Sequence, residues 1–135
     1  MIADRHLLLL WICNSASDAE VAIQASIDWI FVDIETRGKA SRQPTTSFIS
    51  DHKIRDVEVI KASLPSARIL LRLNSLHDES AKEVEDAIKF GADALMLPMF
   101  SSIDELSRVR DLIRGRAQFW PLVETLGACR LMTEA

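Results

Sequence analysis

Three apolar runs in this 135-residue chain end on groups that could do chemistry. Asp33 and Glu35 close the run WIFVDIE, Arg72 and Asn74 close LLRLN, and Glu124 with Thr125 closes FWPLVET. An arginine that interrupts an apolar strand cannot be buried unpaired, so Arg72 must meet an acid or a ligand. Asp33 and Glu35 are two residues apart, and on a strand their side chains point the same way. Acids, a guanidinium and an amide at strand ends are more than a structural sheet requires. Plainer roles stay open for each. Asp33 or Glu35 satisfies Arg72 in an internal ion pair without further function. Either acid, or Glu124, serves equally as a helix cap.

The elements that must position these groups alternate along the chain. Apolar runs at 6–13 (HLLLLWIC), 29–34, 67–73, 94–97 and 117–123 read as strands. Amphipathic stretches at 17–26, 51–64, 78–90 and 102–114 read as helices, and a further helix opens at Gly127. Ser17 is the expected cap of the first helix, and Gly91 of the third. Ala81, Val84, Ala87 and Ile88 share one face of the third helix, and Ile103, Leu106, Val109 and Ile113 one side of the fourth. Residues 37–50, with Gly38, Lys39, Arg42 and Pro44, form a polar loop. Near-continuous apolar strands alternating with helices imply a parallel sheet covered by helices. Two architectures fit. A doubly wound sheet is complete with five strands, whereas a (β/α)8 barrel takes about 250 residues. Length alone favours the first. In both, ligands bind at the carboxyl ends of the strands, where the groups above lie.

Bulk properties exclude other classes. The net charge of −4 and pI near 5.3 disfavour nucleic acid as a partner. Arg108, Arg110, Arg114 and Arg116 form the solvated side of a helix. No run is long enough to span a bilayer, and the 7–13 run is too short for a typical signal sequence, so it reads as a buried strand. Cys13 and Cys129 lack metal spacing and sit among apolar residues, as two buried thiols of a cytoplasmic protein. His6 precedes a strand on the wrong rim, and His52 and His77 sit near helix starts, so none reads as a catalytic base. Trp29 and Trp120 read as core packing. A signalling receiver needs an acidic pair after strand one, an Asp after strand three and a Lys after strand five. The chain has Cys13–Asn14, Asn74 and Glu124–Thr125 there. No glycine-rich phosphate loop follows strand one.

In their order, DWIFVDIE with GKASR, then LLRLN, FGADALMLPMFSSIDEL and PLVET resemble the HpcH/HpaI aldolase and citrate lyase β-subunit family. The resemblance implies an α/β fold, a partial (β/α)8 TIM barrel of about five βα units in the phosphoenolpyruvate/pyruvate-binding class. It implies a metal-dependent carbon–carbon lyase acting through an enolate of a 2-oxo acid or related acyl substrate. Glu124 corresponds to a ligand of Mg²⁺ or Mn²⁺, Arg72 to the stabiliser of the enolate oxygen, Asp33 and Glu35 to supports near the metal water or the base, and Asn74 to a substrate-orienting group. A cation and a guanidinium aimed at one oxygen lower the cost of an enolate.

Two departures qualify the match. Thr36 stands where aldolases of this type carry a histidine base, and where citrate lyase-like members carry an acid. The resemblance also covers only the first five or so units, without the aspartate that completes the metal site. The expectation is a single incomplete domain over 1–135, truncated at its C-terminus and inactive or nearly so alone, or completed by a second copy in a homo-oligomer. The alternative is a non-catalytic five-stranded α/β module that acts by association.

Overall fold

The structure is a computed structural model and describes residues 7–37 and 51–133. Five strands alternate with helices: β1 (Leu10–Ile12), α1 (Ala16–Gln24), β2 (Trp29–Asp33), α2 (Asp56–Ser63), β3 (Ile69–Arg72), α3 (Ser80–Phe90), β4 (Ala94–Leu97), α4 (Ile103–Ile113), β5 (Gln118–Pro121) and α5 (Leu126–Thr133). All neighbouring strands pair in parallel, in the order β1-β2-β3-β4-β5. The expected polar loop at 37–50, with Lys39 and Arg42, lies outside the described residues except for Arg37, as does His6.

The two sheet faces differ. On one, Ile30, Val32, Ile69, Leu71, Leu95 and Leu97 are buried with residues from every helix, among them Ala22, Val57, Val84, Val109 and Ala128. On the other, Trp29, Leu70 and Ala94 form a smaller cluster with Phe31, Met96 and Trp120, and no helix residue joins it. The Trp29 and Trp120 rings meet edge to face with centroids 5.0 Å apart, as core packing predicts. A doubly wound sheet carries helices on both faces and reverses its strand order. This sheet does neither. It is a five-strand segment of a TIM-barrel-like wall, with the helix-free face as the barrel interior, and the choice that length alone favours is overturned.

Several local expectations change. β1 has three paired residues, and it is exposed rather than buried, with Trp11 52% and Ile12 51% accessible. The reason is geometric: β1 is an edge, paired only to β2. The cap of α1 is Ser15 rather than Ser17; its side chain accepts from the Asp18 amide. In α3, Gly91 takes the expected left-handed C-cap (φ 102°), but Ala81 is exposed and Ser80 is buried in its place. In α4, Ser102 and Glu105 form a reciprocal capping box, and Ile103 faces solvent while Val109 and Ile113 are buried. Arg108, Arg110, Arg114 and Arg116 are exposed as expected, and Arg116 pairs with Glu85 of α3. Cys13 is buried, whereas Cys129 is exposed on the outer side of α5.

Candidate active-site rim

Asp33 and Arg72 are partners in the β2–β3 register, so the carboxyl ends of two adjacent strands place acid beside base. Residues 29, 31 and 33 alternate onto the same face of β2, and Trp29 and Phe31 are on the helix-free face. The Arg72 guanidinium lies 5.5 Å from the centroid of the Phe31 ring, which puts the charged pair on that interior face. Arg72 donates from Nε to Asp33 Oδ1 at 2.9 Å and from Nη2 to Asp33 Oδ2 at 2.6 Å. Glu35 Oε2 stands 3.5 Å from Nε. Both acids are buried, at 3% and 4% accessibility, and the Glu35 amide donates to Asp33 Oδ1. The hydrogen bonds that Arg72 donates to Asp33 raise its pKa against the opposing effect of burial, and the charges of Asp33, Glu35 and Glu124 add to the rise. Arg72 is therefore a permanent cation, suited to stabilise charge and unsuited to move a proton. Its Nη1 has no protein hydrogen bond among the described residues, and the side chain keeps 18% of its surface accessible.

Glu124 approaches from the β5 side. Its charge adds, least of the three acids, to the rise of the Arg72 pKa. It does not cap α5. Thr125 does that, accepting from the Ala128 amide through Oγ1 and donating to the Phe100 carbonyl. Glu124 Oε1 instead accepts from the Met99 amide at 3.0 Å. Met99 has φ 56°, a left-handed conformation that is strained for a residue with a side chain and recurs at functional rims.

Asn74 is committed to the protein. Its Oδ1 accepts from the amides of Thr36 and Arg37, its Nδ2 donates to Glu83 Oε2, and its own amide donates to Glu83 Oε1. It thus ties the segment after β2 to the first turns of α3. His77 also bonds within this corner, with Nε2 3.3 Å from Glu83 Oε2 and Nδ1 accepting from the Glu79 amide.

Sequence reasoning set aside His52, yet its Nδ1 accepts the Asp33 amide proton at 3.1 Å. No spacing signal points to it, because the contact crosses a loop and joins residues 19 apart.

Among the described residues no three His, Cys, Asp or Glu side chains lie close enough to hold a metal ion. Glu124 is a single exposed carboxylate, and Asp33 is occupied by Arg72. The described residues alone do not fit a divalent metal centre, which wants several oxygen ligands. No helix among them is long and apolar enough to cross a membrane.

Neither known protein-family profiles nor curated protein sequences match the chain. Solved structures do. Oxaloacetate acetylhydrolase in complex with its product oxalate aligns with a TM-score of 0.57 at 16% identity, over 87% of this chain and 45% of that one. The same enzyme with the inhibitor 3,3-difluorooxalacetate aligns equally well. A protein from Aquifex aeolicus VF5 aligns with a TM-score of 0.59 at 14% identity, over 97% of this chain and 60% of that one. At such identities the likeness establishes the fold, and the relationship is a distant one. The chain spans a little under half the length of the acetylhydrolase.

Proposed function

We propose that the chain supplies part of the active-site rim of a barrel lyase, one that makes or breaks a carbon–carbon bond in a 2-oxo acid or related acyl substrate through an enolate. The observation that carries this reading is the arrangement of Arg72. Two of its donors are fixed on Asp33, Nη1 has no protein hydrogen bond among the described residues, and the charge of Glu124 acts on the same guanidinium. Nη1 donates to the substrate carbonyl oxygen. When the bond adjacent to the enolate carbon breaks, its electron pair moves toward that oxygen, and the guanidinium stabilises the growing negative charge. Because Asp33 holds the fork in place beforehand, little reorganisation accompanies the step. Structures of the acetylhydrolase hold oxalate and difluorooxalacetate, small dicarboxylates of the class proposed here.

Mg²⁺ or Mn²⁺ at Glu124 belongs to the same proposal, but its remaining ligands would come from outside the described residues. So would the base, since Thr36 cannot take that part. Five units leave both outer strands open in the described sheet, and a closed barrel needs strands on each side. The proposal therefore treats residues 1–135 as one part of a catalytic domain, completed by further chain or by another subunit. A purely structural module accounts for the closed Asp33–Arg72 pair but gives no reason for the charge of Glu124 to act on Arg72. Oxalate, which resembles a pyruvate enolate in charge and shape, tests the reading. It is expected to bind the chain in calorimetry or NMR titration and to bind Arg72→Gln at least tenfold more weakly. Equal binding to both chains, or to neither, overturns it.

A further inference from the structure

The backbone ladder between β1 and β2 ends with the Cys13 amide donating to the Phe31 carbonyl at 3.2 Å. Two residues further on, the Asp33 amide points to the same side of β2, past the end of β1 at Ile12. Its acceptor is no strand carbonyl but Nδ1 of His52. A ring nitrogen that accepts carries no proton, so His52 is neutral in this arrangement, with its proton on Nε2. Asp33 is nearly fully buried, and an unsatisfied amide there is costly. The same residue's carboxylate holds both Nε and Nη2 of Arg72.

We propose that His52 is a positioning residue for the Asp33–Arg72 pair: it replaces the missing strand at the end of β2 and so fixes the carboxylate that orients the guanidinium. The positioning stands on the hydrogen bonds alone; only its consequence for ligand binding rests on the function proposed for Arg72. The other imidazole in this region, His77, is bonded to the start of its own helix and does not reach β2. His52 sits in the wall of a cavity of about 360 Å³ between the segment after β2, the segment before α2 and the N-terminal half of α3. Among the described residues, the charged and titratable groups around it are Asp33 of the β2 end, Lys53 beside it, and His77, Glu79, Lys82, Glu83 and Asp86 across the cavity.

Long-range proton–nitrogen NMR of the chain reads the ring directly, and amide exchange at Asp33 with the Arg72 Nε–H resonance reads the pair. His52 is expected to show an unprotonated Nδ1 at neutral pH. His52→Leu is expected to speed Asp33 exchange on the order of tenfold, the size set by one lost hydrogen bond, and to broaden the Arg72 resonance. His52→Asn, whose Oδ1 stands near the position of Nδ1, restores slow exchange. A protonated Nδ1 at neutral pH overturns the proposal. So do Asp33 and Arg72 signals that His52→Leu leaves unchanged. If His52→Leu fails to fold, the ring signature of the unaltered chain decides. Should oxalate not bind while Asp33 exchange still responds to His52→Leu, the functional reading falls and the positioning role stands.

Discussion

Arg72 grips Asp33 with two parallel donors, at 2.9 and 2.6 Å, across the β2–β3 register. Both partners are largely out of water, with side-chain accessibilities of 18% and 5%. Removing Arg72 takes a two-donor partner from a buried carboxylate. Arg72→Met is therefore expected to destabilise the chain by roughly 3 kcal/mol, and Arg72→Lys, which has no fork, by less. Urea denaturation checks both. A stability unchanged in Arg72→Met means that the acids are held by other groups.

Glu124 makes one hydrogen bond, as acceptor from the Met99 amide, and is otherwise exposed. Glutamine keeps that acceptor. Glu124→Gln is expected to shift stability by no more than about 0.5 kcal/mol. Mn²⁺ is expected to strengthen oxalate binding only slightly in the unaltered chain, because one carboxylate holds a hard cation poorly, and not at all in Glu124→Gln. Calorimetry with and without the metal separates these cases. An equal metal effect in both chains removes Glu124 from the proposed site.

At Gly127 a methyl group would lie 2.7 Å from Ser101 Cβ and 2.8 Å from the Ser101 carbonyl oxygen. The first turn of α5 runs this close to the loop after β4, and only a residue without Cβ fits. Gly127→Ala is expected to cost about 1–3 kcal/mol despite the better helix propensity of alanine. A melting temperature at or above that of the unaltered chain contradicts the close approach.

Burial works to raise the Glu105 pKa, but hydrogen bonds from the amides and hydroxyls of Ser101 and Ser102 outweigh it and hold the value below the usual one. A carboxylate with a lowered folded pKa contributes stability above its unfolded value, about 4.3, and loses it as pH falls through the folded value. Stability is thus expected to decline in that acid window, and less steeply in Glu105→Gln. Urea midpoints measured at several pH values test the slope. Parallel curves for the two chains exclude this contribution.

The apolar runs revealed all five strands: the inner strands β2, β3 and β4 are mostly buried and leave little room for polar residues, and β4 matches its predicted bounds, while the edge strands β1 and β5 are apolar though more exposed. Their order was not legible in the local pattern, which a sequential barrel wall and a doubly wound sheet share; the family resemblance implied the barrel, and the sequential strand order with helices on one face agrees with it. The rim was legible through its charges, since Arg72 inside an apolar run requires a buried acid. What Asn74 does was not, because four hydrogen bonds from one residue to two distant segments leave no periodic trace. The same holds for His52. The buried reading fits Cys13 and fails for Cys129, whose neighbours in sequence are apolar but which α5 turns outward.

The strand β1 carries its apolar side chains into solvent at one margin of the sheet, and β5 bounds the other. These margins are unlike, so pairing the first of one molecule with the last of the next is a head-to-tail contact with no built-in stop. Such growth either curls into a ring or continues as a filament. Light scattering that climbs with protein concentration, and subsides when Trp11 and Ile12 are replaced by lysine, would be its signature.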